Sequence, residues 1–266
     1  MVSGFRQFAA RTVAALAAAV VSALSLAATP AEADAQVLLR MSAEEGAEER
    51  YAVTMAITVS APAMGQDMTI DMDMYTTAVF ESVDEDSYVQ AVTIDSMFAS
   101  NAPGVDIPDM TGETFVVRFD YLGNVVEVLE VPEGIEGVEV FESSIRGGSY
   151  SLPESEVSIG DSWIGESEFQ LPFPGAGDSP IVIDRVFELL AVEDGLAEYS
   201  EEGEVNSIIS LGGGMEATIT GTASGAHTFD VAGGYLTIGE VVNELAIALP
   251  AGDVFITIAT VTERIQ

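Results

Sequence analysis

The sequence predicts an all-β protein, a strongly curved and half-barrel-like antiparallel meander built from a duplicated unit, with one short helix between the repeats. Residues 67–80 alternate apolar and polar side chains, which is the pattern of a strand with one dry and one wet face. The same alternation recurs along most of the chain, and its segments repeat in order. Because roughly ten or more long strands rarely form a flat sheet, we expect this one to curl.

The internal repeat is the clearest of these observations. Residues 79–81 and 186–188 both read Val-Phe-Glu, and each precedes an acidic turn, at 84–86 and 193–195. Two further segments, 119–126 and 229–236, both begin with Phe-Asp and turn through glycine. Self-similarity at a long offset predicts one supersecondary unit used twice. The predicted parts are a first β repeat at 36–132, a helix and linker at 133–150, and a second β repeat at 151–266, as one domain or two.

Alternation and β-branched residues place the strands, and Gly, Pro and Asp/Asn separate them. Strands joined by such short turns are expected to be antiparallel neighbours. Trp163 begins a strand after the linker, and its indole needs a hydrogen-bond partner if it is buried. The predicted strands are 51–60, 67–80, 88–98, 114–120, 125–131, 162–171, 181–192, 196–209, 217–230, 235–249 and 254–264.

One segment departs from the strand pattern. Over residues 133–146 the apolar side chains recur at helical spacing, which predicts a short amphipathic helix between the repeats. Gly134 and Gly137 disfavour a helix at its start. The apolar positions of this helix are Ile135, Val138, Phe141 and Ile145.

Residues 1–35 have the composition of a secretory signal peptide. Arg6 and Arg11 form a basic start, an apolar run follows at 13–28, and small residues at 31–33 or 33–35 fit a cleavage site. An uncleaved anchor is the alternative, but the run is shorter than the ~20 residues that span a bilayer. We therefore expect cleavage, no stable transmembrane segment afterwards, and a periplasmic or extracellular location. The chain has no cysteine, which excludes disulfides and an acylated Cys.

The charge of the chain limits its partners. There are 44 acidic and 8 basic residues, and the formal net charge is −36. Such a field repels phosphates and anionic lipid surfaces, so nucleic-acid binding is excluded as a function. An acidic surface favours solubility and tolerance of high salt.

No residue pattern predicts a metal, a cofactor or an enzyme. His227 is the single histidine and lies in a strand, where a hydrogen-bonded or exposed structural role is expected rather than a catalytic one. The methionines of the first half would suit Cu(I), but their alternation with aspartates fits an adaptable apolar core better. Asp71 and Asp73 are oxygen donors without a spaced calcium loop.

The dry face of the strand at 67–80 carries the leading functional hypothesis, which is binding of a lipid or another hydrophobic ligand on an apolar concave face. Closure of the same face by the other repeat, without a pocket, is the alternative. A second hypothesis is a structural or protein-interaction module of the cell envelope that uses the acidic face or an exposed strand edge such as 254–264. The candidate ligand-lining residues are Met68, Ile70, Met72, Met74 and Phe80.

These motifs resemble a known group of sequences. The Ile-Gly-Asp-Ser-Trp segment at 159–163, the Phe-Asp-x-x-Gly turns at Phe119 and Phe229, and the Met/Thr/Asp strand from Asp67 resemble exported bacterial proteins with an uncharacterised domain of unknown function. The resemblance implies a fold and an envelope location, and it transfers no catalytic residue. At the level of fold, a curved sheet with a helix at its concave face is similar to the periplasmic lipoprotein carriers of the Lol type. Their lipidated relatives have an acceptor cysteine, which this chain lacks.

Overall fold

The computed structural model describes residues 36–100, 107–135, 138–147, 150–169, 181–211, 215–249 and 252–265. The predicted signal peptide lies outside these ranges. Within them the chain forms eleven strands, one α-helix and a 3₁₀ turn at Pro62–Met64. The elements are β1 (Glu48–Ala61), β2 (Gln66–Val83), β3 (Ser87–Ala99), β4 (Thr114–Asp120), β5 (Val125–Glu130), α1 (Val138–Gly147), β6 (Ser162–Phe169), β7 (Ile181–Glu193), β8 (Leu196–Leu211), β9 (Met215–Asp230), β10 (Tyr235–Ala248) and β11 (Val254–Ile265).

The strands of the described ranges form one antiparallel sheet in the order β5-β4-β3-β2-β1-β11-β10-β9-β8-β7-β6. Each half is a meander, because strands that follow one another in the sequence are also neighbours in the sheet. The sheet is open, with β5 and β6 at its two edges. The predicted fold class, a curved half-barrel-like antiparallel meander with one short helix, is confirmed. The duplication of a unit stays a prediction.

The centre of the sheet is the pairing of β1 with β11, which joins the two halves. Arg50 lies opposite Ile265 and Ser60 lies opposite Phe255. Because β10 pairs along the other side of β11, the suggestion that residues 254–264 form an exposed edge is wrong. The pairing satisfies the backbone groups of two strands that would otherwise each end a half-sheet.

Helix α1 covers part of the inner face, by which we mean the face of the sheet that carries most of the buried side chains. It begins at Val138, later than the predicted start at Glu133, because Gly134 has a φ of 76° and the chain is still turning there. The helix contacts both edge strands, β5 and β6. Its apolar side packs with Ile135 against β3, β4 and β5, in a cluster that includes Ile94, Met97, Phe115, Val117, Phe119, Val125, Val138, Phe141 and Ile145.

Residues 36–43 cross one end of the sheet, and we call this segment the strap. The backbone N–H of Met41 donates to the carbonyl of Tyr121 at 3.0 Å, and that of Ser42 donates to Gly234 at 2.8 Å. Since Tyr121 and Gly234 belong to the two Phe-Asp turns, the strap ties corresponding turns of the two halves together. Leu39 and Met41 of the strap join a buried cluster whose other members lie under it, namely Phe80, Tyr88, Leu152, Val157, Phe187, Leu189, Ala197, Tyr199 and Phe229.

The two Phe-Asp turns are held by the same chemistry. The carboxylate of Asp120 accepts from the backbone N–H groups of Leu122 and Asn124, both at 2.9 Å. The carboxylate of Asp230 accepts from the backbone N–H of Gly233 at 2.7 Å. An aspartate that bonds its own backbone stabilises a tight turn, which is why the motif marks the β4–β5 and β9–β10 connections.

Candidate functional site

The register of the central strands places the predicted ligand-lining residues on the inner face. In β2 the side chains of even-numbered residues from 68 to 80 point inward, because alternate residues of a strand share a face. Their neighbours on β1 are apolar, with Val59 opposite Met68, Ile57 opposite Ile70, Met55 opposite Met72 and Val53 opposite Met74.

Four of the five predicted residues lie together, and the fifth does not. Ile70 and Met72 are buried, while Met68 and Met74 are partly exposed. Phe80 is near the strap end of the same strand, where its ring lies 5.4 Å from that of Tyr88. It belongs to the cluster under the strap rather than to the centre of the inner face.

Neighbouring strands add two methionines to this region. Met55 lies opposite Met72, and Met97 lies opposite Met74. We call Met55, Met72, Met74 and Met97 the methionine patch. The alternation of each strand places these residues on one face, but only the register between strands brings the four together. Three of them, Met55, Met74 and Met97, are partly exposed.

Small side chains continue the inner face from the methionine patch towards β9. Thr260 lies opposite Met55, and Thr262 lies opposite Val53. Both threonines and Val241, which pairs with Thr260, are partly exposed. On the neighbouring strands, Gly225 lies opposite Val241, and Gly239 lies opposite Thr262. We call Val241, Thr260 and Thr262 the floor, because these short, partly exposed side chains lie next to one another on the inner face.

A buried charged row lies on the far side of the floor. Arg185 Nη1 donates to Glu201 Oε1 at 2.7 Å, and His227 Nε2 lies 3.0 Å from Glu201 Oε2. Since an ionised carboxylate only accepts, the His227 Nε2 carries the proton that it donates. The ring of His227 stacks on Tyr199 at 4.7 Å between centroids. Of the two environments predicted for this strand histidine, exposed or hydrogen-bonded, the structure has the hydrogen-bonded one. Its charged partners were not predicted.

Two glycines make room for this row. A Cβ at Gly225 would lie 2.8 Å from Cγ of Glu201, and one at Gly239 would lie 3.0 Å from Nδ1 of His227. Any larger residue at either position would displace a side chain of the charged row. The glycines of β9 and β10 therefore mark the site in the sequence, although a strand glycine alone does not say what approaches it.

The environment of Glu201 sets its charge. Burial raises the pKa of a carboxyl group, but the hydrogen bond from His227 and the charge of Arg185 outweigh it and hold the pKa of Glu201 below its ordinary value. The carboxylate of Glu201 is therefore ionised at neutral pH. In the row and beside it, four polar atoms of the described residues are buried without a hydrogen-bond partner. They are Ser167 Oγ, Arg185 Nε, Tyr199 OH and His227 Nδ1.

A second buried acid, Glu49, has the opposite electrostatic balance. Tyr51 OH donates to its carboxylate at 2.9 Å, and Arg264 Nη2 is 3.6 Å away. The Arg264 guanidinium lies 3.6 Å from the centroid of the Tyr235 ring, so it is shared between two partners. Burial is the largest effect here, and it raises the pKa of Glu49 above its ordinary value.

We expect Glu49→Gln to raise the free energy of unfolding by about 1 kcal/mol at pH 7, because the amide keeps an acceptor for Tyr51 and removes a poorly compensated buried charge. A carboxyl group with a raised folded-state pKa costs stability above that pKa, and the cost disappears below the ordinary value of about 4.3. The difference in the free energy of unfolding between Glu49→Gln and the wild type should therefore vanish in acid. Urea denaturation at pH 7 and pH 3.5 measures it, and a variant less stable at pH 7 would contradict it.

The described residues contain no group of three or more His, Cys, Asp and Glu side chains that is arranged to hold a metal ion. Trp163 has the partner that its indole requires, since its Nε1 donates to the carbonyl of Ser151 at 2.7 Å. Its ring stacks on Phe187. These contacts anchor the segment before β6 to the inner face.

The fold and the site define a class of protein, an open and curved antiparallel sheet whose concave face combines a methionine patch, a floor of small residues and a buried charged row. The chain matches no protein-family model and no curated protein. Among the helices in the described part of the chain, none has the length and apolar character required to cross a membrane.

Proposed function

We propose that this chain is an exported, non-enzymatic β protein of the bacterial cell envelope that binds a lipid or another hydrophobic ligand on its inner face. The observation that carries the proposal is that Met55 and Met74 of the methionine patch stay partly exposed on the inner face of a curved sheet. Exposed apolar surface in a concavity is the usual signature of a ligand site.

The composition of the region supports a ligand of variable shape. Methionine is unbranched and polarizable, so a group of methionines adapts to different apolar surfaces. The floor beside it consists of small side chains, which leaves room above the sheet. The predicted signal peptide and the absence of cysteine support export without lipid attachment, and the acidic surface argues against nucleic-acid partners.

The protein purified natively from its own envelope should carry about one lipid per chain in organic extracts analysed by mass spectrometry. Met72→Asp should reduce the bound lipid at least tenfold, because it places a charge among the apolar side chains of the patch. Thr69→Asp is the matched control, since it adds the same charge on the exposed face of the same strand.

Met74→Gln provides a second test at a partly exposed position, where folding tolerates a polar group better. Circular dichroism establishes that each variant is folded. A wild-type protein free of lipid would contradict the proposal. So would folded Met72→Asp and Met74→Gln variants that retain as much lipid as Thr69→Asp.

A second function, that of a protein-interaction module of the envelope, is supported by a different observation. Both edges of the sheet, β5 and β6, are ends of the hydrogen-bonded order in the described residues. A strand at the edge of a sheet offers backbone groups to another strand. The same purification, followed by cross-linking in the envelope, would identify such a partner.

A further inference from the structure

The edge strand β6 has one side without a strand partner in the described part of the chain. The N–H of Leu189 donates to the carbonyl of Asp161 at 3.1 Å, next to the first pair of β6 with β7. Hydrogen-bonded pairs alternate along an antiparallel ladder, so the backbone groups of Trp163, Gly165 and Ser167 face β7. Those of the intervening residues, Ile164, Glu166 and Glu168, therefore face the free edge.

A cleft of about 780 Å³ runs along this edge. Residues 162–168 of β6 form one wall, and the other walls come from the start of β5, the end of α1 and the segment at 151–157. Ser167 is buried in the wall with its hydroxyl unpartnered. The free backbone groups of β6 therefore open into a space bounded by protein on several sides.

The charge along the cleft is negative. Glu154, Glu166 and Glu168 line it and are exposed, while Arg146, which also lines it, is paired with Glu142 at 2.8 Å. On the outer face, which is the face opposite the inner one, a row of acidic residues runs from the edge strand into the sheet. Glu166 lies opposite Asp184 on β7, and Asp184 lies opposite Glu204 on β8. Like charges directly opposite one another destabilise a sheet.

Next to this acidic row lies an exposed apolar pair. Ile164 has 82% of its surface exposed, and Val186, directly opposite on β7, has 50%. An added strand would therefore meet an apolar residue and, two and four positions further along β6, two carboxylates on the same face.

We infer that the free edge of β6 binds an extended, basic segment of a partner protein by strand addition. The partner strand hydrogen-bonds to the backbone of Ile164, Glu166 and Glu168. On the outer face it places an apolar side chain against Ile164 and lysine or arginine side chains opposite the two glutamates. Its cations reduce the repulsion along the acidic row.

A fluorescent peptide of sequence Thr-Lys-Thr-Lys-Thr-Val-Thr tests the inference, since in the antiparallel direction its two lysines and its valine align with Glu168, Glu166 and Ile164. Fluorescence anisotropy with the purified chain should show binding that weakens as salt rises from 50 to ~300 mM. Glutamate in place of both lysines should abolish it. A scrambled peptide of the same composition, without the alternation, should bind at least tenfold more weakly.

Two variants of one residue test the charge alone and the charge together with a backbone donor. Glu166→Lys should weaken binding at least tenfold, and Glu166→Pro should do the same because it removes an N–H that faces the free edge while the ladder to β7 stays intact. Glu198→Lys is the matched control, an exposed reversal on β8 away from the edge. Hydrogen exchange should show new protection of the Ile164, Glu166 and Glu168 amides in the complex.

Equal binding of the scrambled peptide, or binding unchanged by both Glu166 variants, would overturn the inference in favour of nonspecific attraction to an acidic protein. Dimerisation of the chain through β6, detected by light scattering and lost in Glu166→Pro, would also overturn it, because the occupant would then be a second copy. These measurements do not depend on lipid binding at the inner face.

Discussion

Replacing Glu201 with alanine should lower the free energy of unfolding by about 3–5 kcal/mol, the cost of removing one partner from a buried ion pair. Arg185 would keep its charge in a buried position, and His227 would lose the acceptor of its Nε2. Urea denaturation at pH 7 measures the loss. Glu202→Ala, the next residue along β8 and exposed on the other face, should change stability by less than about 0.5 kcal/mol.

Two further comparisons identify the cause of that loss. Replacing the whole row with apolar residues, as Arg185→Met, Glu201→Leu and His227→Phe together, should recover most of the stability, since no buried charge then lacks a partner. A triple variant as unstable as Glu201→Ala would show that shape rather than charge holds the row.

The row also makes stability depend on pH. The folded-state pKa of Glu201 lies below its ordinary value, so its contribution is complete above about pH 4.3 and is lost as the pH falls through the folded-state pKa. The deficit of Glu201→Gln relative to the wild type should therefore shrink in acid. The folded-state pKa of Glu49 is raised, so at pH 7 the free energy of unfolding of Glu49→Gln should be higher than that of the wild type, whereas that of Glu201→Gln should be lower.

Gly221→Val should lower the free energy of unfolding by about 3 kcal/mol, at the upper end of the usual cost of overpacking. A Cβ at Gly221 would lie 2.2 Å from the carbonyl oxygen of Glu244 and 3.0 Å from Cα of Leu245. These are backbone atoms, which cannot move aside as a flexible side chain does. Thr222→Val is the control, since it introduces the same residue at the adjacent, exposed position.

The Gly221 variant tests the close approach of β9 and β10. Glycine in a strand allows close approach between neighbouring backbones and supports a tight bend. Relief of the clash requires β9 and β10 to separate. If Gly221→Val were as stable as Thr222→Val, the close approach would have no structural importance.

The sequence predicts the strands well because their pattern is local. Alternation of apolar and polar residues identifies strands such as β4, whose bounds agree with the predicted 114–120. The inward direction of Met68, Ile70, Met72 and Met74 follows from the same alternation. The late start of α1 follows from Gly134. The low helix propensity of glycine is visible in the sequence, but the positive φ of Gly134 is not.

What the sequence does not predict depends on pairing between distant strands. The meeting of β1 with β11 sets Met55 beside Thr260 and makes residues 254–264 central rather than an edge. The charged row requires the register of β7, β8 and β9, which brings together Arg185, Glu201 and His227 from separate segments. In a chain with 44 acidic residues, one glutamate with buried partners has no local feature that distinguishes it.

The pairing of β1 with β11 also constrains the order of folding. The two strands at the middle of the sheet are separated by almost the whole described chain, so the seam that joins the halves forms only after β11 is available. Pairing between such distant segments is slow, because the long chain between them must close into a loop before the contacts form. Until β11 pairs with it, β1 leaves the first half of the chain as a meander with an unpaired edge at what becomes the middle of the sheet.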